Sequence, residues 1–336
     1  MGDPTRITRR KMLRLTALSG LGLALGAKMI QILIEEGRLH EVRATRSHLG
    51  TLVTITAIHP DRSAAHELLD VGFGEMDRLE RILSRHRSGS ALSQLNRDGR
   101  IDPAPAEVVH VLEAALSFSR GSQGAFDPTV TPVLAVYESL AQNGSTELPL
   151  GAIEIARAKV DYRRVEVSGS TIRLNGTQLT LDGVAKGYVV DQAVAALVGA
   201  GAERVLVDAG GDMATGGSGA PQSPFRISVA HPRHADRRIA SAPLAGTAVA
   251  TSGDYVQRFG PGFGHHHIID PRTGRSANAL SSATVTAPTA IAADALSTAV
   301  FVLGPEEGVE FLKDQDRAEG LLVSKTGAVS KTKGWV

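Results

Sequence analysis

The chain has no cysteine. Its absence excludes disulfides, thiolate nucleophiles, cysteine-ligated zinc, iron–sulfur clusters and flavin or lipid attached through sulfur. The glycine-rich loops of standard nucleotide sites are also missing, because no G-x-G-x-x-G follows a strand pattern in the body and no G-x-x-x-x-G-K-[ST] occurs. The G-x-S-x-G turn of many serine hydrolases does not occur either. Any chemistry must therefore use oxygen and nitrogen side chains outside these common motifs.

An excess of charge of one sign is missing too, since the formal net charge is +1. Residues 1–28 hold six Lys/Arg and one acid, which leaves 30 basic and 34 acidic residues in the remainder. The near-neutral net charge is therefore the sum of a basic head, residues 1–28, and a weakly acidic body, residues 29–336. Such a body argues against nucleic acid as the main partner, because neutralising phosphates needs a basic surface. With 42% apolar and 21% charged residues the composition is that of a globular protein.

The basic head has the layout of an export signal. Paired Arg9 and Arg10 precede a short Gly/Ala-rich apolar run over Leu15–Ala27. The run is shorter than the ~20 residues of a membrane-spanning helix, and the paired arginines resemble a twin-arginine signal. We expect residues 1–30 to be such a signal, or an uncleaved anchor. The protein is then expected in the periplasm or at the extracytoplasmic face of the inner membrane.

Apolar periodicity predicts mixed helices and strands in the body, without a regular βαβ repeat, which favours an α+β fold. Gly210–Gly219 is expected to be a glycine-rich loop. Helices are predicted over Ala64–Leu83, Ala106–Ser119, Lys186–Val198, Ala290–Val302 and Gly308–Lys313. Strands are predicted over Thr51–Ile58, Val165–Val167, Thr171–Leu174, Gln178–Leu181, Arg204–Val207, Phe225–Val229, Thr247–Ala250, Thr284–Thr286 and Gly320–Val323.

Two segments that begin near the ends of these elements suit a planar or phosphorylated ligand. In Gly124–Val130, Phe126 could stack on a ring and Asp127 could accept from ring N–H groups. The same letters also fit a helix C-cap followed by a turn. In Leu181–Tyr188, small residues would let a phosphate approach backbone N–H groups at a helix N-terminus, and Lys186 could neutralise its charge.

Two further segments suggest a base and a metal site. His265, His266 and His267 are consecutive, so in an extended chain they point in different directions and cannot all bind one metal. One of them acting as a base is more plausible. Asp294 and Thr298 lie one helical turn apart, and their oxygens suit a hard cation such as Mg²⁺. Alternatively, Thr298 bonds a carbonyl of its own helix.

Together, eight motifs in chain order resemble the ApbE family of FAD:protein FMN transferases, over roughly Ser47 to Val323. Each motif is weak alone, and the order makes the combined signal strong. The motifs are Leu49–Thr51, Ser84–Asn96, Ala125–Thr129, Asp182–Tyr188, Gly210–Asp212, Thr251–Tyr255, His267–Gly274 and Ala293–Ala299.

The resemblance implies one catalytic domain over residues 45–330, with mixed sheets packed against helices and the active site in a cleft between two lobes. It implies Mg²⁺-dependent cleavage of FAD, transfer of FMN to a Thr or Ser hydroxyl of a partner protein, and release of AMP. By position, Mg²⁺ would be held by Asp294, Thr298 and the carbonyl of Gly183. FAD would be contacted by Leu49, His86, Ala125, Phe126, Asp127, Lys186 and Ile268.

The acceptor hydroxyl needs a base, for which we expect His267, with Asp254 or Asp270 as alternatives. Lys186 would offset charge in the transition state. Two other functions use the same site. Water in place of the hydroxyl would give a pyrophosphatase that splits FAD into FMN and AMP. A chain that holds FAD without turnover would deliver flavin to a respiratory reductase.

Overall fold

The computed structural model describes residues 39–143 and 148–335. The predicted signal at residues 1–30 lies outside them. The described part contains eight α-helices and fifteen strands. The helices are α1 (Arg62–Leu83), α2 (Ala91–Asp98), α3 (Ala106–Gly121), α4 (Thr131–Gln142), α5 (Leu150–Arg157), α6 (Ala185–Gly199), α7 (Ala290–Leu303) and α8 (Pro305–Lys313).

Eight strands form one antiparallel sheet, in the order β1-β2-β6-β7-β10-β13-β14-β15. These strands are β1 (His40–His48), β2 (Thr51–His59), β6 (Arg204–Ala209), β7 (Met213–Gly216), β10 (Ala248–Gly253), β13 (Leu280–Ala287), β14 (Glu319–Ser324) and β15 (Val329–Lys331). The smaller sheets use β3 (Arg100–Ile101), β4 (Val165–Ser168), β5 (Thr171–Leu174), β8 (Phe225–His231), β9 (His234–Leu244), β11 (Ile269–Asp270) and β12 (Arg275–Ser276).

The core lies where β2 and β6 meet the helices α1 and α6. Ile55 of β2 pairs with Val207 of β6, and both side chains are fully buried. Gly72 of α1 allows close packing there, since a Cβ on it would lie 2.7 Å from Ile55 Cδ1. Asp61 caps the start of α1 by accepting from the Ala64 N–H at 2.9 Å. This packing fixes β6, whose end leads into the site described below.

Helix α7 is apolar on nearly all sides, because it packs against α6 as well as against β10 and β13. Thr289 caps its first turn, and Asp191 of α6 accepts from the N–H groups of Ala290 and Ile291 at 2.7 and 2.9 Å. Gly187 of α6 faces the same turn, and a Cβ there would lie only 2.2 Å from the Ala290 carbonyl oxygen. The contact fixes the start of α7 against the start of α6.

The α+β class expected from the sequence is confirmed, but two local predictions are wrong. Gln178–Leu181 is not a strand: the Leu179 N–H and carbonyl bond the Asn96 side chain at 2.7 and 2.8 Å, and Thr180 N–H donates to the Pro128 carbonyl. Gly210–Gly219 is not all loop, since β7 lies within it and pairs with β6. In the described residues, no helix is both long and apolar enough to cross a bilayer.

Candidate functional site

A polar pocket forms where the ends of β6 and β10 meet the N-terminal half of α7 and the first turn of α6. The opposite wall comes from the Ala125–Leu134 segment and from Arg85. The pocket therefore draws on segments from most of the described chain. Its polar and charged lining residues are Arg85, Asp127, Thr180, Asp182, Lys186, Asp212, Thr251, Ser252, Gln257, His267, Asp294 and Thr298.

Two buried carboxylates share one ammonium group in this pocket. The Lys186 Nζ lies 3.0 Å from Asp212 Oδ2, and Asp294 is only 5% exposed. Burial, and then the neighbouring Asp212, raise the pKa of Asp294 well above its usual value, against the opposing effect of Lys186. Burial disfavours the charge on Lys186, but Asp212 and Asp294 outweigh this effect and raise its pKa. One ammonium group thus lies near two buried carboxyl groups whose ionised forms are disfavoured by burial, and a further cation would favour their ionisation and stabilise the cluster.

Asp294 and Thr298 of α7 both place side-chain oxygen atoms at the pocket. Asp294 Oδ2 accepts from the Gly187 N–H at 3.1 Å, and Thr298 lies one turn further along α7. The Thr298 hydroxyl lies 3.2 Å from the Ser252 hydroxyl of β10. Thr298 therefore bonds across to the sheet, which answers the alternative that it only bonds its own helix.

Gly183 leaves space beside Thr298 and Phe126 that a side chain at this position would fill. A Cβ on Gly183 would lie 3.1 Å from Thr298 Oγ1 and 3.2 Å from the Phe126 ring. A carboxylate, a hydroxyl and a backbone carbonyl are hard oxygen donors of the kind that Mg²⁺ takes. The surplus negative charge and the space beside Gly183 fit such an ion.

The segment after α3 forms the wall that faces these groups. Ala125 and Phe126 are buried, and Phe126 packs edge-on against Phe118. Asp127 Oδ1 accepts from the Thr129 N–H and hydroxyl, while Oδ2 accepts from the Tyr162 N–H at 3.0 Å. Burial raises the pKa of Asp127 despite these bonds. Both carboxylate oxygens therefore hold the turn in place, as well as lining the pocket.

The three consecutive histidines have different surroundings, as their extended backbone predicts. His266 is fully buried, its Nε2 lies 2.9 Å from the Ala277 carbonyl, and burial lowers its pKa to about 4. His267 lines the pocket next to Ile268. Its Nδ1 lies 3.3 Å from the Gln257 carbonyl, and because a carbonyl only accepts, that bond puts the proton on Nδ1. Burial lowers the pKa of His267.

Four residues named from the sequence lie outside the pocket lining. Leu49 lies in the β1–β2 turn, where its N–H donates to Glu80, and His86 is exposed. Asp270 pairs with Arg272 at 2.9 Å and caps the turn that follows β11. Asp254 is fully buried between Arg233 and Lys325. The structure thus brings together Lys186, His267, Asp294 and Thr298 with Gly183, Ala125, Phe126, Asp127 and Ile268, but not these four.

The ApbE family model matches residues 49–322. The chain belongs to the ApbE family. It is 29% identical over 299 residues to the FAD:protein FMN transferase of Salmonella typhimurium, with 84% of each chain covered. It is also 29% identical over 323 residues to the FAD:protein FMN transferase of Treponema pallidum, with 89% of each chain covered. The resemblance seen in the motif order is confirmed, and the curated relatives carry the expected enzyme class, a transferase.

Solved ApbE structures share the fold. The crystal structure of the ApbE protein from Thermotoga maritima is similar with a TM-score of 0.78 and 29% identity, covering 88% of this chain and 97% of that one. The flavinyl transferase ApbE of Pseudomonas stutzeri, in its apo form, is similar with a TM-score of 0.76 and 27% identity, covering 88% and 95% of the two chains.

In this ApbE family member, sequence reasoning missed Arg85 as a pocket residue. Its guanidinium donates to Asp182 at 2.7 Å and to Glu138 at 3.0 Å, and so ties the loop before α6 to α4. Its partners are 97 and 53 residues away, and no local pattern connects them. The sequence predicts Asp212 only as the last residue of the Gly210–Asp212 motif and assigns it no role, because its partner Lys186 is far away along the chain.

Proposed function

We propose that this chain is an FAD:protein FMN transferase that needs Mg²⁺, joins FMN to a Thr or Ser hydroxyl of a partner protein and releases AMP. The observation that carries the proposal is the buried cluster of Asp212, Lys186 and Asp294 beside the Thr298 hydroxyl in one pocket. The names of the relatives support the same activity.

Asp294, Thr298 and the Gly183 carbonyl would hold the magnesium ion. When bound, the ion would offset negative charge on the pyrophosphate of FAD. Lys186 lines the same pocket and stays protonated, because two acids raise its pKa, so it adds a fixed positive charge for the phosphates. A weakly acidic body can therefore hold a pyrophosphate without a broad basic surface.

His267 is the residue we assign as the base. With the proton on Nδ1, its Nε2 carries the lone pair, and the lowered pKa keeps the ring neutral at neutral pH. It would take the proton of the acceptor hydroxyl as the oxygen attacks the FMN phosphorus. The bond between that phosphorus and the bridging oxygen breaks, and AMP leaves with the bridging oxygen.

The flavin ring would lie against the apolar part of the pocket. Ala125, Phe126 and Ile268 are buried apolar side chains that line it. Ligand pockets of this kind combine apolar walls with a few convergent polar groups. Lys186 of α6 with Asp294 and Thr298 of α7 would take the phosphates, and the apolar side chains would take the ring.

Product analysis separates transfer from its two alternatives. The full chain is incubated with FAD and Mg²⁺, with and without candidate acceptor flavoprotein subunits, and the nucleotides are separated by chromatography. Transfer predicts AMP without free FMN, formed only when an acceptor is present. Free FMN with AMP in both incubations would indicate a pyrophosphatase. Intact, bound FAD in both would indicate a carrier, and either result would contradict the proposal.

We also propose that residues 1–30 direct export, so that the catalytic body works on the extracytoplasmic side of the inner membrane. The support is the basic head, the paired arginines and the short apolar run in the sequence. The protein that accepts FMN would then be an exported subunit, or a subunit anchored at the extracytoplasmic face.

A further inference from the structure

A second group of metal-ligating side chains lies away from the pocket, at the turn that joins β1 to β2. His48 ends β1, while Asp77 and Glu80 lie three residues apart on one face of α1. One ligand atom from each of the three residues lies within 4.8 Å of the other two. The His48 Nδ1 is 3.4 Å from Asp77 Oδ1 and 3.9 Å from Glu80 Oε2.

The His48 ring is buried and its orientation is set by packing. The side chain is 7% exposed and stacks on Phe73, with ring centroids 5.3 Å apart and 14° between the planes. Phe73, Asp77 and Glu80 form one stripe of α1, so the same helix face that holds the ring also supplies the two carboxylates.

The buried Nδ1 of His48 has no hydrogen-bond partner within the described part of the chain. Its neighbour Asp77 Oδ1, at 3.4 Å, does not make an aligned bond. A buried polar nitrogen without a partner is costly, and native structures rarely keep one without an explanation. This nitrogen faces two carboxylates, and a cation between the three atoms would satisfy all of them.

Hydrogen bonds hold the Glu80 carboxylate beside His48, and Asp77 lies at the solvent side of the cluster. Glu80 Oε1 accepts from Arg87 at 3.1 Å, and Oε2 accepts from the Leu49 N–H at 3.2 Å. The Asp77 side chain is 52% exposed, so water has access from its side. Ligand atoms about 2.1 Å from a zinc ion lie about 3 to 3.5 Å apart, so small side-chain rotations would close this set around one ion.

We infer that His48, Asp77 and Glu80 bind one divalent transition-metal ion of the zinc class. One imidazole nitrogen with two carboxylates is a donor set for such ions, whereas the oxygen-only set at Asp294 favours Mg²⁺. The two sites therefore differ in the metal they select.

The bound ion would clamp the β1–β2 turn to α1. Thr51, which begins β2 directly after that turn, packs against Gly210, where a Cβ would lie 2.4 Å from Thr51 Oγ1, and Gly210 lines the pocket. The site is therefore separate from the catalytic cluster but connected to the pocket wall through one packed contact.

Calorimetric titration with Zn²⁺ tests the inference. The full chain is freed of metal with a chelator and titrated in excess Mg²⁺, which occupies the oxygen-only site. Asp77→Asn removes one ligand from a half-exposed position with little risk to folding. Glu67→Gln, another exposed acid on α1, is the matched control.

The inference predicts that Asp77→Asn weakens one equivalent of Zn²⁺ binding at least tenfold and that Glu67→Gln leaves it unchanged. X-ray absorption of the zinc-loaded wild type should show a single imidazole among oxygen ligands, lost in His48→Gln. If wild type and Asp77→Asn bind zinc with the same stoichiometry and affinity, the inference is overturned. An absorption spectrum with several imidazoles would overturn it too, because the ion would then sit on other histidines.

Discussion

At the scale of single residues, Asp294 is a buried carboxyl group whose pKa is raised by burial and by the neighbouring Asp212. The Lys186 Nζ lies 3.0 Å from Asp212 Oδ2, and its attraction for Asp294 does not offset the effects of burial and of Asp212 on the Asp294 pKa. A raised pKa in the folded state means that the fold holds the ionised carboxylate less favourably than water does. The resulting loss of stability is absent at acidic pH, near the usual value of 3.8, and grows as pH rises above it.

Asp294→Asn is therefore expected to stabilise the metal-free protein at neutral pH. The amide cannot ionise and so avoids the cost of a buried charge, and we expect a higher free energy of unfolding in chemical denaturation at neutral pH. The gain should vanish at acidic pH. Asn can still accept from the Gly187 N–H, so the local hydrogen bond is kept.

The same variant should lose its response to magnesium. Mg²⁺ is expected to raise the melting temperature of the wild type but not of Asp294→Asn, and FMN transfer should fall by about 100-fold or more, since changes even to the outer shell of a metal site typically cost 10–100-fold. Equal magnesium stabilisation of both proteins would remove Asp294 from the ligand set.

His267 gives a prediction about pH. Burial lowers its pKa below the ordinary 6.5, so the fraction of neutral base falls only when the pH drops through that lowered value. kcat/KM for transfer should be flat through neutral pH and decline on the acidic side below 6.5. In His267→Asn the rate should drop by about 100-fold or more, and the acidic decline should disappear. A variant that keeps the wild-type profile would show that another group is the base.

The proximity of two site residues could be predicted from the sequence where one motif contains both of them. Asp294 and Thr298 are one turn apart on a helix, so their shared face follows from spacing alone. His86 could not be placed in the same way, because the loop after α1 turns it to solvent while its neighbour Arg85 faces the pocket. Which of the two side chains faces the pocket depends on the backbone path of the loop, and no periodic pattern in the sequence predicts that path.

At the scale of elements, the close crossing of α6 and α7 brings Lys186 and Asp294 together. Gly187 lets the two helices touch, and its N–H donates to Asp294. Elements with strong apolar patterns, such as β2 and α1, could be predicted from the sequence because burial on one face dictates the period. Gln178–Leu181 has the same alternation, but its backbone bonds a side-chain amide instead of a strand, and a pattern of apolar residues cannot distinguish these partners.

Gly187→Ala should disrupt this crossing. The new methyl group would lie 2.2 Å from the Ala290 carbonyl oxygen, so the helices must separate. Overpacking of this kind costs about 1–3 kcal/mol, and the shift of α7 should also weaken magnesium binding. Urea denaturation and a magnesium titration measure the two effects.

Gly74→Ala is the matched control, because it is an exposed position in α1 with open space around the added methyl. That change should stabilise the chain by about 0.5–1 kcal/mol, the usual gain from Gly to Ala within a helix. A Gly187→Ala protein as stable as the Gly74→Ala protein would contradict the proposed role of the α6–α7 contact.

At the scale of the whole molecule, one pocket is assembled from segments between Arg85 and Thr298. Apart from Asp182 and Lys186, its charged groups lie far apart in the sequence, so the order of the weak motifs indicates the site better than any single motif does. The basic head is distinct from the rest of the molecule, because its positive charge contrasts with the weakly acidic body that follows it.

Replacing both arginines of the head, in Arg9→Lys with Arg10→Lys, should retain the protein in the cytoplasm. The double change keeps the positive charge but removes the arginine pair that a twin-arginine signal requires. Lys11→Arg is the control and should be exported normally. Cell fractionation followed by immunoblotting measures the outcome, and export of the double variant at the wild-type level would count against this signal type.

The central claim is that the pocket moves FMN from FAD onto a hydroxyl of another protein. The most direct measurement is the intact mass of a purified acceptor after reaction with the full chain, FAD and Mg²⁺, alongside the AMP released. We expect one covalently added FMN for each AMP, and no addition to an acceptor whose Thr is replaced by Val. An acceptor of unchanged mass, in a reaction that still converts FAD into AMP and free FMN, would contradict it.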